Sequence, residues 1–179
     1  MWLWVYILTM LKKTFRVAVV MERVAIANRW QSYQWQVAGV IADLNSEGVA
    51  DQAARTIVRH DDNLQRLYPG FEISLHRDEA EGYYLNLISG EPRIYVMWRL
   101  DENRSSAEDE AQPQLATLSY NEAARLMDAQ EKVDSVALLP ELLPWLESFV
   151  HEHYKPEVKK PRIRPQSFVS KEGRYKSGM

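Results

Sequence analysis

Between Phe71 and Leu100 the chain alternates apolar and polar residues with a period of two, broken by one strong turn signal. Phe71, Ile73 and Leu75 alternate with Glu72, Ser74 and His76; Tyr83, Leu85 and Leu87 with Tyr84, Asn86 and Ile88; Ile94, Val96, Trp98 and Leu100 with Tyr95, Met97 and Arg99. Successive side chains of a strand leave opposite faces of a sheet, so this pattern describes strands with one dry face. Ser89-Gly90-Glu91-Pro92 separates the last two segments with residues suited to a turn. The expectation over 71–100 is a three-strand antiparallel meander whose second face is polar and studded with tyrosine.

The flanking segments extend this reading. Residues 15–27 are rich in Val and Ala and read as a first strand or hairpin. Trp35, Val37, Gly39 and Ile41 alternate with Gln34, Gln36, Ala38 and Val40, a half-buried strand. Residues 43–66 hold Asn45, Ser46 and Gly48, then polar residues around Ile57, Val58 and Leu64, and read as a surface connection with a short helix. Residues 102–113 carry almost no apolar side chain and read as a mobile loop. A short strand is expected over 115–118. Ser119-Tyr120-Asn121-Glu122 then matches a capping box, opening a helix to about Gln130 with Ala123, Leu126 and Met127 on its inner side. Residues 133–136 suit a last strand, and 140–154 a second helix bearing Leu142, Leu143, Leu146, Phe149 and Val150. Pro144 lacks an amide hydrogen, so that helix either starts there or spends its first turn before it. The fold class expected is α+β: an antiparallel sheet, open or barrel-like, of about five or six strands, two helices in the C-terminal half, and an extended basic tail.

Domain organisation follows charge and length. At 179 residues the chain suits one domain plus a tail. Residues 155–179 carry eight Lys or Arg against Glu157 and Glu172, a local net of +6; with the whole chain at −3, the rest stands at −9. Pro156, Pro161 and Pro165 interrupt the basic run, so the segment reads as an extended tail. At the other end, apolar residues 1–11 precede Lys12-Lys13. That run is shorter than the ~20 residues a membrane span needs, and its charge lies on the wrong side for a secretory signal. Residues 1–14 are expected to be a non-native or mobile extension, with translation starting at Met10 or Met21. The domain proper is expected over 15–154, in the cytoplasm.

Composition excludes several chemistries. Without cysteine there is no disulfide, thiolate zinc site, iron–sulfur ligation or cysteine nucleophile. The seven glycines form no GxGxxG, P-loop or Gly-x-Ser-x-Gly elbow, and no HExxH is present. His151 and His153 stand two apart near a helix end, whereas a metal pair on a helix wants a spacing of three or four. They read as cations facing the negative pole of the helix dipole. The cluster His76, Arg77, Asp78, Glu79 and Glu81 reads first as a solvated connection and second as a binding patch. Trp35 falls on the apolar face of its strand and reads as core; Trp30 and Tyr33, in a polar loop, divide between packing and recognition.

Four blocks carry a resemblance. Val17-Ala18-Val19-Val20-Met21-Glu22-Arg23, Asn28-Arg29-Trp30-Gln31-Ser32-Tyr33-Gln34-Trp35-Gln36-Val37-Ala38-Gly39-Val40, Leu75-His76-Arg77 through Tyr83-Tyr84-Leu85-Asn86-Leu87, and Pro92-Arg93-Ile94-Tyr95-Val96 resemble a bacterial family without an assigned activity. The order of Ser119 with Glu122 and Ala123, the helix at 140–154 and the Lys/Arg/Pro tail match it too, so the likeness spans roughly residues 16–165. Members of that family are often encoded beside molybdenum-dependent formate dehydrogenases, next to a second small protein. Some carry the label molybdopterin-guanine dinucleotide biosynthesis protein A. The guanylyltransferase of that name has an N-terminal Gly-rich loop with an Arg and a Lys for GTP, which this chain lacks.

The resemblance implies a non-catalytic accessory factor in the assembly or maturation of a molybdenum-dependent formate dehydrogenase. Its partner would be that enzyme or the co-encoded small protein. It assigns no catalytic residue, no metal and no cofactor. The expected binding surface comprises Trp30, Tyr33, His76, Arg77, Tyr84 and Asn86, with Lys159, Lys160, Arg162 and Arg164 docking the tail on an acidic partner. Two other classes remain open at this level: a molybdopterin biosynthesis or carrier protein, and a nucleic-acid binder acting through the tail, against which stand the acidic body and the absence of a reader motif.

Overall fold

Phe15, Val17, Val19 and Met21 are buried at every second position while Thr14 and Arg16 are exposed, which marks Thr14–Ala25 (β1) as a strand with one face in the core. In the computed structural model, which describes residues 14–29, 32–43, 53–60, 63–101 and 110–156, β1 is central in a four-stranded antiparallel sheet. Its neighbours are β2 (Tyr33–Ala42), β3 (Arg55–Arg59) and β4 (Asn63–Ser74), in the order β2-β1-β4-β3. A second antiparallel sheet holds β5 (Arg93–Leu100), β6 (Ala111–Thr117) and β7 (Lys132–Ala137) in the order β6-β5-β7. Among the described residues three helices complete the α+β fold: α1 (Ala80–Ile88), α2 (Tyr120–Asp128) and α3 (Leu143–His153). Single 3-10 turns, Arg77–Glu79 and Pro140–Leu142, lead into α1 and α3.

The sheets do not close into a barrel; side chains join their margins instead. Asp134 on β7 accepts from the Val37 amide of β2 at 2.9 Å and from Trp98 Nε1 at 3.0 Å. On the other side the Tyr68 hydroxyl of β4 shares its proton between Glu110 Oε1 (2.6 Å) and the Ala111 carbonyl (2.9 Å), and Glu110 is ion-paired with Arg66. Between the sheets lie Val17, Val19, Met21, Ile73, Ile94 and Val96, sealed by Leu142, Trp145 and Leu146 from the last helical segment. Each such side chain removed from water contributes about 1.5–3 kcal/mol before entropy is counted.

Four expectations need correction. Residues 83–88 form helix α1, not the middle strand of a meander, so β4 and β5 lie in different sheets. Ala80, Tyr83 and Asn86 recur every three residues and are all buried, a helical stripe hidden inside the period-two pattern. Asp78 and Glu79 before the helix and Glu81 in its first turn suit the positive helix pole. Second, the stretch read as a connection with a short helix contains β3 and the start of β4; the β-branched run Thr56-Ile57-Val58 favours a strand. Third, Met127 is 48% exposed and not on the inner side of α2, whose packed residue is Ala123. Fourth, the expected loop at 102–113 gives way at 111, where β6 begins, with Glu110 and Ala111 buried. Residues 102–109 of that loop, 1–13 of the expected extension at 1–14 and 157–179 of the expected tail at 155–179 lie outside the described residues.

On the face of β1 away from Met21, Glu22 gathers three carboxamides. Asn63 and Gln65 of β4 donate to Oε1 at 2.7 and 2.9 Å, and Gln36 of β2 donates to Oε2 at 3.1 Å. Hydrogen bonds from Gln65, Asn63 and Gln36 hold the Glu22 carboxyl below its ordinary value, outweighing partial burial. A lowered native pKa means stability present above the unfolded pKa and lost as pH falls through the folded one. Glu22→Gln should therefore cost roughly 0.5–1 kcal/mol near neutral pH, a cost reduced by solvent screening. That deficit should shrink in urea titrations at about pH 3; a deficit that holds constant would remove the carboxylate as its cause.

Candidate functional site

The C-terminal end of α1, the turn after it, the outward face of β5 and the first residue of α2 enclose an open cleft of about 820 Å³. β5 alternates strictly: Ile94, Val96 and Trp98 face the core, so Tyr95 must leave by the other face, where it is half-buried. The Tyr120 ring meets it edge-on at 6.3 Å between centroids. Burial, and secondarily the neighbouring Tyr120, push the Tyr95 hydroxyl above its ordinary value despite Arg93. Leu85 and Ile88 form the α1 wall, with Ile88 58% exposed. Gly90, at φ 86°, turns the chain in the left-handed region that favours glycine. At the rim Arg93 is ion-paired with Glu91 at 2.6 Å. Met127 stands seven residues beyond Tyr120, on the same side of α2, and extends the exposed apolar surface. Contiguous exposed apolar surface with a polar rim marks a site for a partner more than a site for chemistry.

A second cleft, of about 630 Å³, lies where β5, β6 and the loop into β7 meet. Its charges satisfy one another. Arg99 holds Glu131 in a two-pronged ion pair, which lowers the Glu131 carboxyl and raises the Arg99 guanidinium; Lys132 lies 4.7 Å over the Trp98 ring; Gln112 donates to Asp101.

The densest polar cluster is a latch between helices. Ser119, fully buried, caps α2 by accepting the Glu122 amide at 3.1 Å and donates to Glu79 Oε2 at 2.5 Å. Arg125 completes the link to Glu79 at 2.5 Å. The capping box is half-formed: Thr117, not the Ser119 amide, engages the Glu122 carboxylate, and the Ser119 amide donates to Thr117 Oγ1. A serine beside a carboxylate invites a nucleophile reading, but this Oγ is sealed from solvent with both roles occupied. Its partner Glu79 stands 40 residues away in sequence, which no local pattern reveals.

The residues singled out from sequence disperse over the fold. Tyr33 opens β2, 37% exposed, with the Arg23 guanidinium 4.4 Å over its ring. Trp30 lies outside the described residues, as do Lys159, Lys160, Arg162 and Arg164. His76 and Arg77 are exposed ahead of α1, and the His76 amide donates to the Tyr83 hydroxyl at 3.2 Å. Burial pushes that hydroxyl up to about 12, against the His76 bond. Tyr84 is half-buried, stacked on Tyr154 at 4.4 Å. Asn86 leaves the surface set altogether, because it is fully buried and bonded to backbone. The cleft residues Ile88, Tyr95 and Tyr120 were not singled out. The available signal was Tyr120 and Met127 repeating along α2 outside the Ala123–Leu126 stripe.

Among the described residues no group of three or more His, Asp or Glu could hold a metal ion. His153 instead lies 3.7 Å from Glu152 and packs edge-on against Phe149. Residues 16–164 match the model of the DUF3305 family, described as a protein of unknown function. The chain belongs to the DUF3305 family. No curated protein and no solved structure matches it. The DUF3305 match begins two residues into β1 and covers both sheets, all three helices, the cleft and the latch. No helix among the described residues of this DUF3305 protein is long and apolar enough to cross a membrane.

Proposed function

We propose that this protein is a non-catalytic accessory factor that holds a partner polypeptide during assembly or maturation of a molybdenum-dependent formate dehydrogenase. The observation that carries the holding role is the cleft of Leu85, Ile88, Tyr95 and Tyr120, in which Ile88 and Tyr120 are exposed and Leu85 and Tyr95 half-buried, while the strongly bonded polar groups nearby are consumed by the latch. The enzyme is named by the resemblance of the blocks at 28–40 and 75–87 to a family encoded beside such dehydrogenases. In this reading an apolar side chain of the client seats between Tyr95 and Tyr120, and the Glu91–Arg93 rim orients its backbone. The tail residues Lys159, Lys160, Arg162 and Arg164 add attraction to an acidic client surface, which salt screens.

Deleting the gene and measuring formate dehydrogenase activity together with its molybdenum content tests the role. Lost activity with normal metal is the expected result; lost metal would turn the assignment to cofactor handling, and unchanged activity would end it. Restoring the gene as Ile88→Asp with Tyr120→Ala should weaken capture of the enzyme by at least about 30-fold. Both side chains are about half exposed, so the melting temperature should barely move. Undiminished capture by this variant would place the partner elsewhere.

A further inference from the structure

The chain enters the described domain at Thr14 and leaves it at Pro156, and the fold brings these two points to one end. Thr14 is paired with Ser74 at the start of β1. Two residues beyond Ser74, the His76 amide donates to the Tyr83 hydroxyl near the start of α1. The Phe149 ring of α3 meets Tyr83 edge-on at 5.7 Å, and Tyr154 is stacked on Tyr84 at 4.4 Å. Residues 1–13 and 157–179, farthest apart in sequence, are therefore attached side by side. We infer that this end docks on the surface of an anionic lipid bilayer, with residues 1–11 entering the interface and Lys12, Lys13 and the basic tail on the headgroups.

Residues 1–11 are apolar except for Thr9, and Trp2, Trp4 and Tyr6 are side chains that favour the membrane–water boundary, apolar in body with one polar atom. The run is about half of the ~20 residues that a span requires, so it reaches into one leaflet only. Burying a Leu or Ile side chain contributes about 1.5–3 kcal/mol, yet one short apolar anchor holds a protein only marginally, and firm attachment takes a second signal. Charge supplies it: Lys12 and Lys13 follow the run directly, and residues 155–179 bring a net of +6 to the same end. Each basic residue near an anionic surface adds about 1 kcal/mol. Among the described residues there, His76, Arg77, His151 and Lys155 are exposed, against Asp78, Glu81 and Glu152, while Arg16 and Glu72 pair with each other. The two termini thus set the sign of this end.

The apolar run decides between a bilayer and an acidic protein. Both attract a basic tail, but a charged protein surface gives Trp2-Leu3-Trp4 no apolar medium to enter, and a bilayer does. The cleft stays clear of such docking. α1 is roughly 13 Å long, and Ile88 and the rest of the cleft lie at its far end, open to a client while the domain is held by the near one. The inference goes beyond the holding role and stands without it.

The test uses the full chain, sedimented with vesicles of phosphatidylglycerol and phosphatidylcholine in equal parts or of phosphatidylcholine alone. The expected result is association with the mixed vesicles that weakens with salt and is at least roughly tenfold weaker on the neutral ones. Trp2→Ser with Trp4→Ser should lower association at least about tenfold, and Lys12→Glu with Lys13→Glu should lower it and flatten its salt dependence. These positions precede β1, so the melting temperature should stay where it is in both variants, which separates lost binding from lost folding. No association, equal association with both vesicles, or association undiminished by the tryptophan substitutions overturns the proposal. A melting temperature lowered by those substitutions overturns it too, because the run would then be packing on its own domain. So does a self-associated wild-type chain that the same variant returns to monomer, since the run would then be covering a second copy.

Discussion

Asn86→Leu is expected to lower the unfolding free energy by about 3–5 kcal/mol, which at this chain length moves the melting temperature down by roughly 10 °C. Asn86 is fully buried, and each of its polar atoms is engaged with backbone. Nδ2 donates to the Arg93 carbonyl at 2.8 Å and to the Leu118 carbonyl at 2.9 Å, and Oδ1 accepts the Arg93 amide at 2.9 Å. One side chain thereby ties α1 to the start of β5 and to the residue just past β6. Leucine keeps the branch at Cγ and is bulkier, so no cavity opens, but three backbone groups lose their partner inside the protein. Each such orphan costs about 1–3 kcal/mol, and the apolar gain of leucine offsets part of the sum. Urea unfolding of the two proteins measures the difference. A loss below about 1 kcal/mol would mean that water reaches Arg93 and Leu118 and that the joint is not sealed.

Gly82→Val should destabilise by about 3 kcal/mol, through contact distance and not through lost bonds. A Cβ at Gly82 would lie 2.2 Å from Ser119 Oγ, 3.1 Å from the Asn121 amide nitrogen and 3.2 Å from Asn121 Cβ. Ser119 cannot turn aside cheaply, since its hydroxyl caps α2 and donates to Glu79. The helices must separate, weakening the latch. Gly82→Ala brings in the same Cβ but gains about 1 kcal/mol in helix propensity, so it should lose less. Thermal unfolding of the pair should rank glycine first, alanine second and valine last. Alanine equal to or above glycine would show that α1 shifts freely and that the close approach carries no stability.

These two residues show how far the sequence could be read. Strand alternation sets Asn86 with Tyr84 and Ile88 on an exposed face; helical spacing sets it with Tyr83, on the buried side. Both periods fit Tyr83-Tyr84-Leu85-Asn86-Leu87-Ile88, because a short run of mostly apolar residues satisfies either template. Nothing in the local sequence marks Gly82; only the fold sets Ser119 against it. By contrast β1, β2, β5, β7 and the last helix were legible, each having a long alternation or an apolar stripe with a clear stop. The serine cap of α2 was legible too, since a cap acts within three residues.

The sequence by itself determined what acts locally: the α+β class, the strand periods, the Ser119 cap, and the exclusion of thiol, glycine-loop and zincin chemistry by missing residues. Tertiary structure alone decided that residues 80–88 form a helix, that Asn86 and Ser119 are internal fasteners, and that Ile88, Tyr95 and Tyr120 share a cleft. The reason is distance along the chain. Asn86 reaches Leu118 across 32 residues, Glu79 reaches Ser119 across 40, and Asp134 reaches the Val37 amide across 97. Local propensity for so short a segment differs between helix and strand by amounts smaller than these buried bonds and contacts, so the packing partners set its conformation.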